Sequence, residues 1–144
     1  MTKTEIREYY PNGLHDYSQI IQDNHRKRWK KGEWTDDTDQ FLCILDTILS
    51  TGGIDAISFA ERLHRWYKGT PRGIGQTVLK VVKLPQFTEY PHKAAELVWK
   101  MTGQKNASNG AIMRTSILGA WNFEQPENVA LNAKTVCKVT HADP

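Results

Sequence analysis

At 144 residues and 16.5 kDa the chain is long enough for one domain with its own core and short for two. Hydrophobic residues make up 39% and charged residues 24%, at a mean hydropathy of -0.59, which excludes the apolar-poor composition of a disordered chain. No run approaches the ~20 apolar residues of a membrane helix, and Met1-Thr2-Lys3-Thr4-Glu5 lacks the apolar core of a secretory signal. The expectation is therefore an intracellular protein, cytoplasmic or nuclear, with no membrane partner.

A first helix is expected from about His15 to Trp29, with Gly32 as its stop. At its end Arg26, Lys27, Arg28, Lys30 and Lys31 supply five of the 19 basic residues, so the remainder holds 14 against 16 acidic ones and the whole excess of +3 is local. That run reads as a solvated helix end complementing the dipole or, with Trp29 inside it, as a phosphate-binding patch. Next, Phe41, Leu42, Ile44, Leu45, Ile48 and Leu49 recur at helical spacing, and so little polar face remains that Asp39 to Ser50 should run through the centre of a bundle. Gly52-Gly53 ends it. A third helix follows from about Asp55, with Ala56, Phe59, Ala60, Leu63, Trp66 and Tyr67 on one stripe.

Ile74, Val78, Val81 and Val82 fit a fourth helix, although Val78-Leu79-Lys80-Val81-Val82 is β-branched enough for a strand. Ala94, Leu97, Val98 and Met101 mark a fifth, with Gly103 as its C-cap. Stretches from about Gly110 to Trp121 and Glu127 to Val139 complete a series of six or seven helices, and without an alternating run the class is all-α. Cys43 and Cys137 have no ligand-like spacing and read as reduced core thiols.

Three carboxylates fall within Thr35-Asp36-Asp37-Thr38-Asp39. They suit the first turn of a helix, where acids meet the positive end of the dipole. Adjacent like charges also suit a hard divalent cation, since Mg²⁺ takes carboxylate and hydroxyl oxygens. Ser108-Asn109-Gly110-Ala111-Ile112-Met113-Arg114 brings small residues into a helix start, either as a simple N-cap or as a backbone cradle for phosphate. Arg114 reads equally as a surface residue. His141, close to the last residue, could pair with a ligand or a carboxylate, or with neither.

In this order, Gly32-Glu33-Trp34-Thr35-Asp36-Asp37-Thr38, Pro71-Arg72-Gly73-Ile74-Gly75-Gln76-Thr77, Ser108 to Arg114 and Thr140-His141 resemble the ADP-ribosylglycohydrolase family. The resemblance implies an orthogonal all-α helical bundle that hydrolyses the glycosidic bond between ADP-ribose and an acceptor with two Mg²⁺ ions. It implies metal ligation by Thr35, Asp36 and Asp37, and substrate contacts from Ser108, Asn109, Gly110, Met113 and, on the adenosine side, His141. It assigns no catalytic residue here. The metal motif and the Ser108 to Met113 loop are expected to face one another across a cleft.

The family's first helix, with a Gly-Asp-Ala-Leu-Gly-like segment and a metal-serving glutamate, has no counterpart in this chain, nor has its later aspartate-rich motif. Gln76 stands where some relatives carry an acid. The expectation is thus a partial domain over residues 1–144, a fragment or a complete product, that exposes apolar surface. It is expected to bind Mg²⁺ with an incomplete ligand set and to be impaired in hydrolysis. Its partner would be ADP-ribose or an ADP-ribosylated protein. A non-catalytic module for ADP-ribose or another phosphate ligand is the alternative reading, and a basic nucleic-acid-binding protein is the least favoured one.

Overall fold

The computed structural model describes residues 2–69 and 71–144. Among the described residues every regular element is helical: α1 (Lys3–Tyr9), α2 (Asp36–Thr51), α3 (Ala56–Lys68), α4 (Gln76–Val82), α5 (Pro91–Met101), α6 (Ser116–Trp121) and α7 (Pro126–Lys138). Short 3₁₀ turns lie at Tyr17–Gln19, Arg26–Arg28 and Ile112–Arg114. The all-α expectation holds, with α4 helical rather than extended. None of these helices is long and apolar enough to cross a membrane.

The chain divides into two compact units, Met1–Trp34 and Thr35–Pro144. In the first, the helix expected from His15 to Trp29 does not form. Its polar side chains capture the backbone instead: Gln19 Oε1 accepts from the N–H groups of His15 and Asp16, Asp16 Oδ1 from Ser18 N–H, and Asp23 Oδ1 from His25 and Arg26 N–H. Such short-range bonds compete directly with the i→i−4 ladder. The helix that does form, α1, starts at Thr2-Lys3-Thr4-Glu5, where Thr2 Oγ1 accepts from Glu5 N–H and Glu5 Oε2 accepts from Thr2 N–H. In the basic run Arg26 pairs with Asp23, Lys31 donates to the Ser18 carbonyl and Arg28 lies 5.1 Å from the Trp29 ring centre, so these heads are engaged within the unit.

The second unit is built around α2 and α3. Asp55 Oδ1 caps α3 by accepting from Ser58 N–H at 2.6 Å, and α2 stops at Gly52, whose φ of 73° is the left-handed turn that glycine adopts without strain. Helix α2 packs on α3, α6 and the 112–114 turn; α3 packs in addition on α4, α5 and α7. Ile44, Phe59, Leu63, Val78, Val81, Val82, Phe87, Leu118, Val136 and Val139 form the shared core. Burying an aliphatic or phenyl side chain of this size contributes roughly 1.5–3 kcal/mol, which is why the β-branched α4 is held as a helix: at three- and four-residue spacing Val78, Val81 and Val82 all face inward.

The buried face of α2 is Gln40, Cys43, Ile44, Thr47 and Ile48. Leu42 is exposed and Leu49 is 74% exposed, so α2 is not enclosed on all sides as its composition suggests. On α5, likewise, Ala94, Ala95 and Val98 are buried, whereas Leu97 is exposed and Met101 is 75% exposed. Cys43 is a free, buried thiol that burial and the charges of Asp46 and Asp39 push up to about 11; Cys137 is also free but only half-buried.

Candidate functional site

Thr35 occupies the N-cap position of α2, yet its hydroxyl does not cap the helix; it donates to Asp37 Oδ2 at 3.0 Å. Asp36 is half-buried, and burial, reinforced by the charge of Asp37, holds its carboxyl above the usual carboxylate range. The third acid has another task. Asp39 Oδ2 accepts from Trp66 Nε1 at 3.1 Å, and Asp39 Oδ1 stands 3.9 Å from Arg72 Nη2, which ties α2 to α3 and to the 71–77 segment.

A hydroxyl and two mutually repelling carboxylates are the hard-oxygen chemistry that Mg²⁺ selects. Among the described residues, however, no three His, Cys, Asp or Glu side chains gather into a metal-holding group. The trio therefore fits part of a coordination shell.

The Ser108 to Arg114 segment folds into a tight turn, because Ile112 and Met113 N–H both donate to the Asn109 carbonyl. Its second half carries Arg114, which is fully buried rather than on the surface. Burying a guanidinium is costly unless hydrogen bonds offset it, and here both terminal nitrogens are met while Nε is buried without a partner. Nη1 donates to Gln40 Oε1 at 2.9 Å, Nη2 to the Val136 carbonyl at 3.0 Å and to Thr140 Oγ1 at 2.8 Å, and the guanidinium carbon stacks 4.9 Å from the Phe59 ring centre. Gln40 lies one helical turn beyond Asp36 on the same face of α2. The bond to Arg114 thus places the first turns of α2 beside the end of the loop.

His141 is 7% exposed. The chain continues past α7 in a last turn, with His141 N–H on the Cys137 carbonyl at 2.9 Å, and this brings the ring onto the loop. Nε2 lies 2.9 Å from Ser108 Oγ and Nδ1 lies 2.8 Å from Thr140 Oγ1. Burial, with the nearby charge of Arg114, lowers the imidazole to about 4, so it is neutral at physiological pH. Gly110 fits against it closely: a Cβ there would lie 3.3 Å from His141 Cε1 and 3.4 Å from Val78 Cγ2. Ser108 Oγ also bonds Thr77 Oγ1 at 3.0 Å, and Thr77 bonds Asn106 Oδ1 at 2.9 Å.

An open cavity of about 750 Å³ lies between the loop and the end of α7, with Ser108, Asn109, Ile112, Lys134, Cys137 and His141 in its walls. This volume is in the range of a drug-sized ligand. The structure brings Ser108, Asn109 and His141 to one cavity and packs Gly110 behind them. Met113, half-buried, and the Thr35 to Asp37 trio are outside its lining.

Gln40 and Asn106 lie outside the sequence motifs, and Thr77 and Thr140 lie within them without an expected role, yet these four carry bonds that join the segments. For Gln40 a signal existed: it interrupts the Ile44 and Ile48 stripe at helical spacing, and a polar residue on a core face needs a partner.

All 144 residues match the family model described as ADP-ribosylglycohydrolase. The ADP-ribosyl-[dinitrogen reductase] glycohydrolase of Rhodospirillum rubrum is 26% identical over 144 residues, covering 100% of this chain and 45% of its own length. An uncharacterized protein of Archaeoglobus fulgidus is 29% identical over 138 residues, 95% of this chain and 39% of the relative. The ADP-ribosylarginine hydrolase Tri1 of Serratia proteamaculans is 27% identical over 124 residues, 81% of this chain and 32% of the relative. The chain thus spans less than half the length of these relatives.

Proposed function

We propose, from the premise that the chain belongs to the ADP-ribosylglycohydrolase family, that it carries the diphosphate cradle and one part of the metal centre of a site for hydrolysing the bond between ADP-ribose and a protein acceptor. The names of the Rhodospirillum and Serratia relatives point to an ADP-ribosylated protein, with arginine as the modified residue in the second. The observation that carries this reading is that the second, third and fourth motifs are joined to one another and to α2 through Asp39 and Gln40, the two residues just beyond the first motif. Asp39 meets Arg72, Thr77 meets Ser108, Ser108 meets His141, and Arg114 meets both Gln40 and Thr140.

The N–H groups of Ser108, Asn109 and Gly110, which precede the turn's own closing bonds, are the donors offered to the diphosphate. The missing Cβ of Gly110 lets the loop backbone close on His141 and Val78, and His141, itself on the cavity wall, tethers Ser108. Lys134, on the cavity wall, adds positive charge opposite the phosphates. Thr35, Asp36 and Asp37 would hold Mg²⁺, which supplies orientation of ribose hydroxyls and of a water, and offsets charge in an oxocarbenium-like transition state. With part of the shell in place, this chain on its own binds ADP-ribose and turns over little.

Calorimetric titration with ADP-ribose, with and without Mg²⁺, beside a release assay on ADP-ribosylated protein tests both halves. Binding is expected to survive chelation of the metal, while Asp36→Asn with Asp37→Asn abolishes any Mg²⁺ binding. Absence of ADP-ribose binding at millimolar concentration would sink the cradle. Release at the rate of an intact family member would sink the statement about turnover.

A further inference from the structure

The bonds that hold the Ser108 loop form one continuous chain, and the hydrogens on it can be placed link by link. The starting point is Arg114, because a guanidinium has donors and no acceptor. Thr140 Oγ1 must therefore accept from Arg114 Nη2. The single hydroxyl hydrogen of Thr140 is then available for His141 Nδ1, 2.8 Å away. A neutral imidazole that accepts at Nδ1 carries its hydrogen on Nε2 and donates there, to Ser108 Oγ. Ser108 in turn donates to Thr77 Oγ1, and Thr77 to Asn106 Oδ1. Every link points the same way.

The opposite tautomer would make Thr140 accept twice and strand its own hydrogen at a position only 1% exposed. A buried donor left without a partner costs about 1–3 kcal/mol. Protonating both ring nitrogens would meet the same obstacle and would set a second cation beside Arg114, with only Asp143 nearby to favour it.

We propose that Arg114 is a positioning residue that, through Thr140, fixes His141 as the neutral Nε2–H tautomer, so that the ring donates to Ser108 and turns that hydroxyl's hydrogen inward to Thr77, away from the cavity. The Ser108 side chain consequently offers no hydrogen to a ligand in the cavity. An anion bound there is met by backbone N–H groups, and Ser108 Oγ serves as the tether of the loop. The same guanidinium holds Gln40, one turn from Asp36, so the loop and the acidic turn share one anchor. This deepens the reading of the loop as a diphosphate cradle and rests on it only for the identity of the ligand.

The test is a long-range proton–nitrogen correlation spectrum of the ¹⁵N-labelled 144-residue chain without ligand, with the His141 signals identified by their loss in His141→Gln. At pH 7 the wild-type ring is expected to show the Nε2–H pattern. Arg114→Lys, which keeps a donor at this position, is expected to retain it. Arg114→Met, which frees Thr140 Oγ1 from its obligatory role as acceptor, is expected to populate the Nδ1–H form measurably, whereas Thr140→Val, which leaves Nδ1 no acceptor and keeps Ser108 opposite Nε2, is expected to retain Nε2–H. An Nδ1–H or doubly protonated ring in the wild type at pH 7, or an unchanged pattern in Arg114→Met, would overturn the proposal. Titrating the same wild-type sample with ADP-ribose separates the two readings. The tautomer without ADP-ribose binding upholds the relay and defeats the cradle; binding with an Nδ1–H ring does the reverse.

Discussion

The Ser108 to Arg114 loop and the Thr35 to Asp37 turn both place small and polar residues at the entrance to a helical segment, but they are completed differently. The loop is held by His141, by Thr77 on α4, and by the bonds of Arg114 to Gln40 on α2 and Val136 on α7. The acidic turn has one internal bond, Thr35 to Asp37, and a carboxyl whose proton affinity is raised by burial and by its neighbour. A cradle for an anion can be finished by backbone and neutral side chains, since the ligand brings the charge. A corner of like charges is relieved only when a cation arrives.

Four outcomes would break or sharpen that contrast. The largest should come from Arg114→Met, which leaves Gln40 Oε1 and the Val136 carbonyl facing a thioether in a dry core. A loss of about 3 kcal/mol in urea unfolding is expected, and a loss under ~0.5 kcal/mol would mean the network is not what holds the loop.

Next is Gly110→Val. Its side chain must intrude on the His141 ring and on Val78, so ADP-ribose affinity should fall at least about tenfold, or ~1.4 kcal/mol. Unchanged affinity would detach the loop from the ligand.

The third outcome concerns pH. His141 in the folded chain is lowered to about 4 from an ordinary 6.5, so the unfolded chain binds the proton more readily. Its contribution is fully present above about pH 6.5 and is lost as pH falls toward 4. Denaturant midpoints measured across that window should fall more steeply for wild type than for His141→Gln.

The smallest effect is the mirror of the first. Asp36→Asn with Asp37→Asn removes a repulsion as well as a favourable contact with the dipole of α2, so stability should change by no more than ~0.5 kcal/mol. A large loss would show that the turn already has a structural partner.

Much of the helical framework was written in local spacing. Ile44 and Ile48, Phe59 and Leu63, Val78 and Val82, and Ala94 and Val98 each recur at four residues and are all buried, because a 3.6-residue period imposes the stripe wherever the helix docks. The motifs around Thr35 to Asp37, Ser108 to Gly110 and His141 were legible as residue types. The turns between Asp16 and Arg28 were missed, although their cause is local too: the Asp16, Gln19 and Asp23 side chains take nearby N–H groups from the helix. What only the tertiary structure decided is which apolar residues are covered and which polar ones are not left in water. Leu49 and Met101 belong to apolar stripes as regular as that of Ile48, but no neighbouring helix reaches them. Arg114 is buried because its acceptors come from positions 74, 22 and 26 residues away. No window of sequence contains those partners together, and only the folded chain brings them to the two terminal nitrogens of the guanidinium.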